Sequence, residues 1–295
     1  MIDRACISLN NNCNLKCKYC HFKDKQKDFN SFDYESMITI IDHIHDYCLK
    51  NSLRSFKLGI VGSGEPMLKS ELILSVLKYV KERKYDELKM YTITNGTLLS
   101  TELLKKFYEY RNIMKICISL DGFEELHNYG RSSFDKVMEG VDNYKKVFKV
   151  SPSINATVNY MSYKDKEKLI SFFKTNNLLD VTFSKLIGCF DKDLYITNEQ
   201  FNDFMEYVFK SGIDSRQFKK GKKYDCTMYG RLCGVGRTNI FITPEGIYPC
   251  GRFYKDNRFL LGEYSSNLFD VEKRVNNMEP VEDGKCYYIE KVEVK

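Results

Sequence analysis

Six times over its first 210 residues the chain passes from a short β-branched run to a helix-length amphipathic one, and few folds accommodate that rhythm. The strand-like runs cover residues 5–9, 55–61, 89–94, 113–120, 153–160 and 180–185. Between the first two, Met37, Ile41, Ile44 and Cys48 recur at helical spacing and mark one apolar face. Further helices are expected near 71–83, 101–110, 134–146, 164–175 and 199–210, with Ser100 and Ser133 as N-caps. Strands separated by helices pair in parallel, so the class is α/β. An open doubly wound sheet and a partial barrel both satisfy the count.

Of the 295 residues 43% are hydrophobic and 14% aromatic, enough for a large core and too many for a disordered chain. The longest apolar runs fall far short of the ~18–20 residues of a membrane span, so no membrane is expected as partner. No secretory signal is recognisable, which points to a cytoplasmic, reducing setting. The formal charge of +6 is spread among interspersed acids and bases, and nucleic acid is not expected either. The rhythm stops near residues 211–225, where Arg216, Lys219, Lys220, Lys222 and Lys223 crowd a segment read as a basic linker between a domain of residues 1–210 and a tail of 226–295. In that tail, 239–243 and 247–250 read as a hairpin about Pro244-Glu245-Gly246. So short a tail needs a metal staple to be stable.

Eleven cysteines, odd in number and unevenly spaced, argue against disulfides and for metal ligation. Cys13, Cys17 and Cys20 form C-x3-C-x2-C directly after the first strand, among Asn10, Asn11, Asn12 and Asn14. Zinc closes with four ligands, and His21 is the nearest fourth. A [4Fe–4S] cube offers the other solution, with three irons on cysteine and one open to a chelating ligand. Gly62-Ser63-Gly64-Glu65-Pro66 follows the second strand without a Walker lysine or a dinucleotide fingerprint. Thr94-Asn95-Gly96-Thr97 follows the third strand; Ser119-Leu120-Asp121-Gly122, then His127 and Arg131, follow the fourth.

Spacing and order together resemble the radical S-adenosylmethionine (SAM) superfamily, whose partial (β/α)6 barrel carries its active site at the strand C-termini. Ser63 departs from the family's GGEP pattern, which has its first glycine there. The resemblance implies a [4Fe–4S] cluster on Cys13, Cys17 and Cys20, with SAM chelated at the open iron. Gly62 and Gly64 would let backbone approach the amino acid moiety, with Ser63 between them. Glu65 would meet the ammonium, Arg131 the carboxylate, Ser119 a ribose hydroxyl and Tyr19 the adenine. Asn95, Asp121 and Leu186, at three strand ends, complete the implied contacts.

The tail sets Cys226, Cys233, Cys250 and Cys286 apart as C-x6-C, a hairpin cysteine and a distant fourth. It resembles the SPASM extension in its one-cluster form, the twitch domain, and implies an auxiliary [4Fe–4S] cluster; a zinc knuckle uses the same four thiolates differently. Cys6, Cys48 and Cys117 read as small buried hydrophobes. Cys189, after the sixth strand, is a candidate hydrogen-atom donor to a substrate radical. The Ser119–Arg131 run and the tail resemble enzymes that modify ribosomally made peptides by cross-linking, thioether formation, oxidation or epimerisation. Gly251 stands where sulfatase-maturing relatives carry an aspartate, so the formylglycine reaction is not expected. Leader recognition would fall to a separate protein or another surface, and reduction to a flavodoxin- or ferredoxin-type donor. Oxidation of a small molecule such as an aminocyclitol, and electron carriage without turnover, are the other readings.

Overall fold

Parallel pairing joins strands β1 (Arg4–Ile7), β2 (Phe56–Ile60), β3 (Leu88–Thr94), β4 (Met114–Ser119), β5 (Ser153–Val158) and β6 (Val181–Lys185) strictly in chain order. The computed structural model describes residues 1–22, 30–187, 191, 193–213, 234–279, 281 and 286–293. Registers such as Ile7↔Ile60, Ile60↔Thr92, Thr94↔Ile118 and Ser119↔Asn155 run across the sheet without a break. Right-handed crossovers between strands added always on the same side place every crossover helix on one face. A doubly wound sheet needs the strand order to reverse; across β1 to β6 it does not. The α/β class therefore holds in a singly wound form.

The two faces differ accordingly. Ile7, Leu58, Ile60, Met90, Ile116, Ile118, Ile154, Val158 and Phe183 point to the helix side and are buried. Helices α1 (Tyr34–Lys50) and α2 (Ser70–Arg83) add Ile40, Ile41, Ile44, Ile73 and Leu77 to the same core. At about 1.5–3 kcal/mol for each large side chain removed from water, this face dominates the favourable side of folding. The opposite face alternates to Cys6, Gly59, Tyr91, Cys117, Ser119, Asn155, Thr157 and Ser184, mostly polar or small. The polar groups with chemistry to offer therefore sit away from the helices, near the strand C-termini.

The remaining helices are α3 (Thr101–Tyr108), α4 (Glu124–Gly130), α5 (Phe134–Phe148), α6 (Tyr160–Lys164), α7 (Lys166–Thr175) and α8 (Asn198–Ser211). Two differ from the sequence reading. The helix expected over 164–175 forms as α7, but a further short helix, α6, precedes it, capped by Asn159 through Ser162 and parted from α7 at Asp165. Helix α4 was not foreseen; about two turns suffice to carry His127 and Arg131 back toward the sheet. Ser100 caps α3 as expected, accepting from the Leu103 N–H. Ser133 does not cap α5: it lies at φ +64° in the tight reversal after α4, with no side-chain cap bond, and the Asn128 side chain accepts from the Phe134 N–H instead.

Helix α8 ends at Ser211, with Gly212 left-handed at its C-cap. The basic segment, Cys189, Cys226 and Cys233 lie outside the described residues. The tail hairpin forms as expected from β7 (Asn239–Thr243) and β8 (Gly246–Tyr248). Strand β7 also pairs in parallel with β1, so the sheet order is β6-β5-β4-β3-β2-β1-β7-β8 and the sheet is mixed. Helix α9 (Leu268–Asn276) then returns to α1, where the Tyr47 hydroxyl donates to Glu272 at 2.9 Å. No helix among the described residues is long and apolar enough to cross a membrane.

Ser100→Ala and Asn128→Ala should each lower unfolding free energy by about 0.5–2 kcal/mol, the usual cost of a lost cap. Ser133→Ala should stay within about 0.5 kcal/mol of the parent. Denaturant titration of the three variants decides; a larger loss at Ser133 than at Asn128 would reverse the assignment.

Candidate radical SAM site

The three cysteines lie in a loop with little regular structure, tied to the sheet by asparagine side chains. Asn14 Oδ1 accepts from Asn95 Nδ2 at 2.8 Å, and Asn14 Nδ2 donates to Thr97 Oγ1 at 2.8 Å. The Glu65 N–H donates to the Asn12 carbonyl at 2.8 Å, so the loops after β1 and β2 are joined by backbone. The close approach of the chain after β1 to the loop after β2 explains both glycines of the second loop. A Cβ at Gly64 would stand 2.4 Å from the Asn12 carbonyl oxygen, and one at Gly62 2.2 Å from Ser8 Cβ. The chain's own loop thus already requires glycine at 62 and 64, whatever ligand lies beyond.

Glu65 is a heavily bonded carboxylate of the site. It is buried, and Oε1 accepts from Thr94 Oγ1 at 2.5 Å and from the Met67 N–H at 2.9 Å. Oε2 accepts from the Asn95 N–H at 2.7 Å. Burial raises its pKa, against the pull of these donors and of Arg131. Three donors leave capacity for one more on the carboxylate. Asn95 has its side chain engaged with Asn14 and Thr97, so its part is to tie the loops together.

Asp121 is the second hub, 1% exposed. Its Oδ2 accepts from the Tyr19 hydroxyl and, at 3.1 Å, from Arg131 Nε; its Oδ1 accepts from the Thr157 N–H at 2.9 Å. Burial disfavours the Arg131 charge, but Asp121 and its neighbours outweigh this and hold the guanidinium firmly protonated. The same guanidinium lies 5.4 Å from the Tyr19 ring centroid, and its Nη1 reaches Cys17 Sγ at 3.9 Å. Burial pushes the Tyr19 phenol well up. Gly130 was missed in the sequence: a Cβ there would sit 2.5 Å from the Tyr19 ring. His127 is wholly buried, its Nδ1 accepting from the Asp121 N–H at 3.3 Å, and burial lowers the pKa of the ring. Its Nε2 has no hydrogen-bond partner among the described residues.

The thiols interact through charge, Cys13 with Cys20 and Cys17 with both, while burial raises the pKa of Cys13 and of Cys17. Such thiols ionise readily only beside a cation. Among the described residues no three His, Cys, Asp or Glu side chains converge tightly enough to share one metal ion. Three thiols carried by one loop are a donor set that suits a cube with one open iron. His21 instead lies against Phe22, ring centroids 3.9 Å apart. Ser119 ends β4 paired with Asn155, and Leu186 is buried after β6 with its N–H on the Val158 carbonyl.

Residues 7–173, from the first strand through α5 and into α7, match the model of the radical SAM superfamily. The chain belongs to that superfamily. Membership makes it an enzyme that uses SAM, also written AdoMet. It is 29% identical over 298 residues to the cysteine-type anaerobic sulfatase-maturating enzyme of Clostridium novyi (strain NT), covering 88% of this chain and 75% of that protein. Native anSMEcpe with bound AdoMet superposes at a TM-score of 0.75 with 18% identity, over 91% of this chain and 79% of its own. Streptococcus suis SuiB bound to its precursor peptide SuiA gives 0.70 and 17%, over 92% and 64%. At those identities the two structures attest the fold alone.

In the tail, Cys250 lies against an aromatic cluster of Phe22, Phe241, Tyr248, Phe253, Tyr254 and Tyr287, which Cys20 also touches. Phe253 meets Tyr287 and Tyr288 at centroid distances of 6.0 and 5.3 Å, bringing the chain after Cys286 beside the chain after Cys250. Cys48 and Cys117 are buried as expected; Cys6 is partly buried, its Sγ 3.4 Å from the Tyr91 hydroxyl.

Asp121→Asn should destabilise the protein by about 3–5 kcal/mol, because Arg131 keeps its charge and loses its partner. Pairing it with Arg131→Met should recover part of that loss. Denaturation of both variants tests this, and additive losses would show that the two side chains do not act as a pair.

Proposed function

We propose that the protein is a radical SAM maturase that modifies a ribosomally made peptide. The observation that carries this reading is the three-cysteine loop bonded directly to the Glu65 loop, beside the buried Asp121–Arg131 pair. Bound to Cys13, Cys17 and Cys20, a [4Fe–4S] cluster would supply the electron that splits SAM into methionine and a 5′-deoxyadenosyl radical, which takes a hydrogen atom from the substrate. Glu65, fixed by three donors, would accept from the SAM ammonium. Arg131, held by Asp121, would face the carboxylate and donate to the Cys17 sulfur. Ser119, Tyr19 and Leu186 would line the nucleoside side, within a sheet we read as the partial (β/α)6 barrel.

We read the tail as a twitch-like domain whose auxiliary [4Fe–4S] cluster takes Cys226, Cys233, Cys250 and Cys286, with residues 211–225 as linker. Peptide as substrate class is supported by the likeness to the sulfatase-maturating enzyme of Clostridium novyi, and by the bound precursor peptide of the structurally similar SuiB. The reaction differs from sulfatase maturation at one position. Gly251 follows Cys250, and a Cβ there would stand 3.0 Å from the Phe22 ring, so an acidic side chain fits only if Phe22 moves. Cross-linking, thioether formation, oxidation or epimerisation remain open to such a site, with Cys189 as hydrogen-atom donor in the last case. A flavodoxin- or ferredoxin-type donor and, where the peptide has a leader, a separate leader-binding protein complete the proposed cytoplasmic system.

Anaerobically reconstituted protein should hold about eight irons per chain, two cubes by this ligand count; about four would remove the tail cluster. Replacing Cys13, Cys17 and Cys20 together by alanine should abolish 5′-deoxyadenosine formation and leave about half the iron. Reduced enzyme with SAM and peptides encoded beside it should change a peptide's mass, by loss of two units for oxidation or a cross-link. Cleavage persisting in the triple variant would end the radical reading; modification of a small molecule with every peptide inert would end the peptide one.

A further inference from the structure

Ser63 stands where the family's loop has glycine, and its hydroxyl is the centre of a buried polar chain. The Ser63 N–H donates to Ser8 Oγ at 2.9 Å, and the two hydroxyls are 2.9 Å apart. The Ser63 hydroxyl donates to Asn11 Oδ1, and Asn11 Nδ2 donates to the Tyr254 hydroxyl at 2.7 Å. Ser8, Asn11, Ser63 and Tyr254 are each 4% exposed or less. Asn11 thus uses both ends of its amide, one toward the Glu65 loop and one toward the tail, 243 residues away in sequence. Tyr254 is itself fixed by the Phe22 and Tyr248 rings, at centroid distances of 6.2 and 6.1 Å.

We infer that Tyr254 is a positioning residue for SAM: through Asn11 and Ser63 the tail holds the residue 62–65 loop in its binding geometry. The inference rests on the proposed radical SAM reading. A buried amide with both ends bonded cannot rotate without leaving a polar group unpaired. The loop's backbone therefore depends on the seating of a segment four residues past Cys250. A glycine at 63 could take no part in this, so the serine and the tyrosine act together. Asn11 lies two residues before Cys13, which places the polar chain alongside the cluster loop.

The test is a double-mutant cycle of Tyr254→Phe and Ser63→Gly in cluster-loaded protein. Without SAM, Tyr254→Phe should speed amide hydrogen exchange across residues 61–67; with SAM, it should raise the dissociation constant about 3–10-fold, the worth of one hydrogen bond. Iron content should stay at the parent value. In the Ser63→Gly background the added effect of Tyr254→Phe should fall below twofold. Equal effects in both backgrounds, or none on exchange, would overturn the inference. Should Tyr254→Phe lose iron, Asn11→Ser carries the same test with the ring intact, and a loss of affinity undiminished beside Ser63→Gly overturns it. Failure of the parent to bind SAM at all would instead strike the underlying reading, while the exchange measurement still decides the link.

Discussion

The loop that carries three thiols has little regular structure to lean on, and here asparagine supplies the scaffold. Asn12 offers a carbonyl to the Glu65 loop, Asn14 an amide to Asn95 and Thr97, and Asn11 an amide to Ser63 and Tyr254. Asparagine suits the task because each side chain carries both a donor and an acceptor and tolerates irregular backbone. Neighbouring strand ends are bound to the loop in this way: β2 through Glu65 and β3 through Asn95. The β4 end joins less directly, as Asp121 holds Tyr19, which sits in the same loop.

The singly wound order is what brings those strand ends together. Because the six strands run parallel, each C-terminal loop opens on the same rim. The polar face is then left for a ligand. Electrostatics follow from that burial. Glu65 and Asp121 are carboxylates nearly removed from water, and each is kept by several donors rather than by one. Arg131 serves Asp121, Tyr19 and Cys17 at once, so its charge is fixed in place before any ligand arrives.

Much of this was legible in the chain. The six strands fall within a residue or two of their β-branched runs, because period and turn chemistry are local signals. The cysteine loop, the Gly62–Glu65 loop and the Ser119–Arg131 run were readable as motifs, since each occupies a strand end. Other features were not. Gly62 and Gly64 resembled ligand contacts but answer first to Ser8 and Asn12, a packing demand that spacing does not encode. Ser133 looked like a cap, yet the turn after α4 leaves it left-handed. The internal bonds of Asp121 to Tyr19 and Arg131, and of Asn95 to Asn14 and Thr97, join residues that spacing does not bring together. Tyr254 carried no signal, because its partner lies at the far end of the chain.

Strand β7 has a wider consequence. It lies against β1, so the strand leading into the cysteine loop is an interior strand only while the tail is docked. Removing the tail would lay bare the backbone edge of Arg4–Ile7, apolar on alternate residues and ready to template pairing with another molecule. The tail is therefore a splint for the catalytic half as well as a place for cysteines. Shortened forms of this enzyme would be expected to clump.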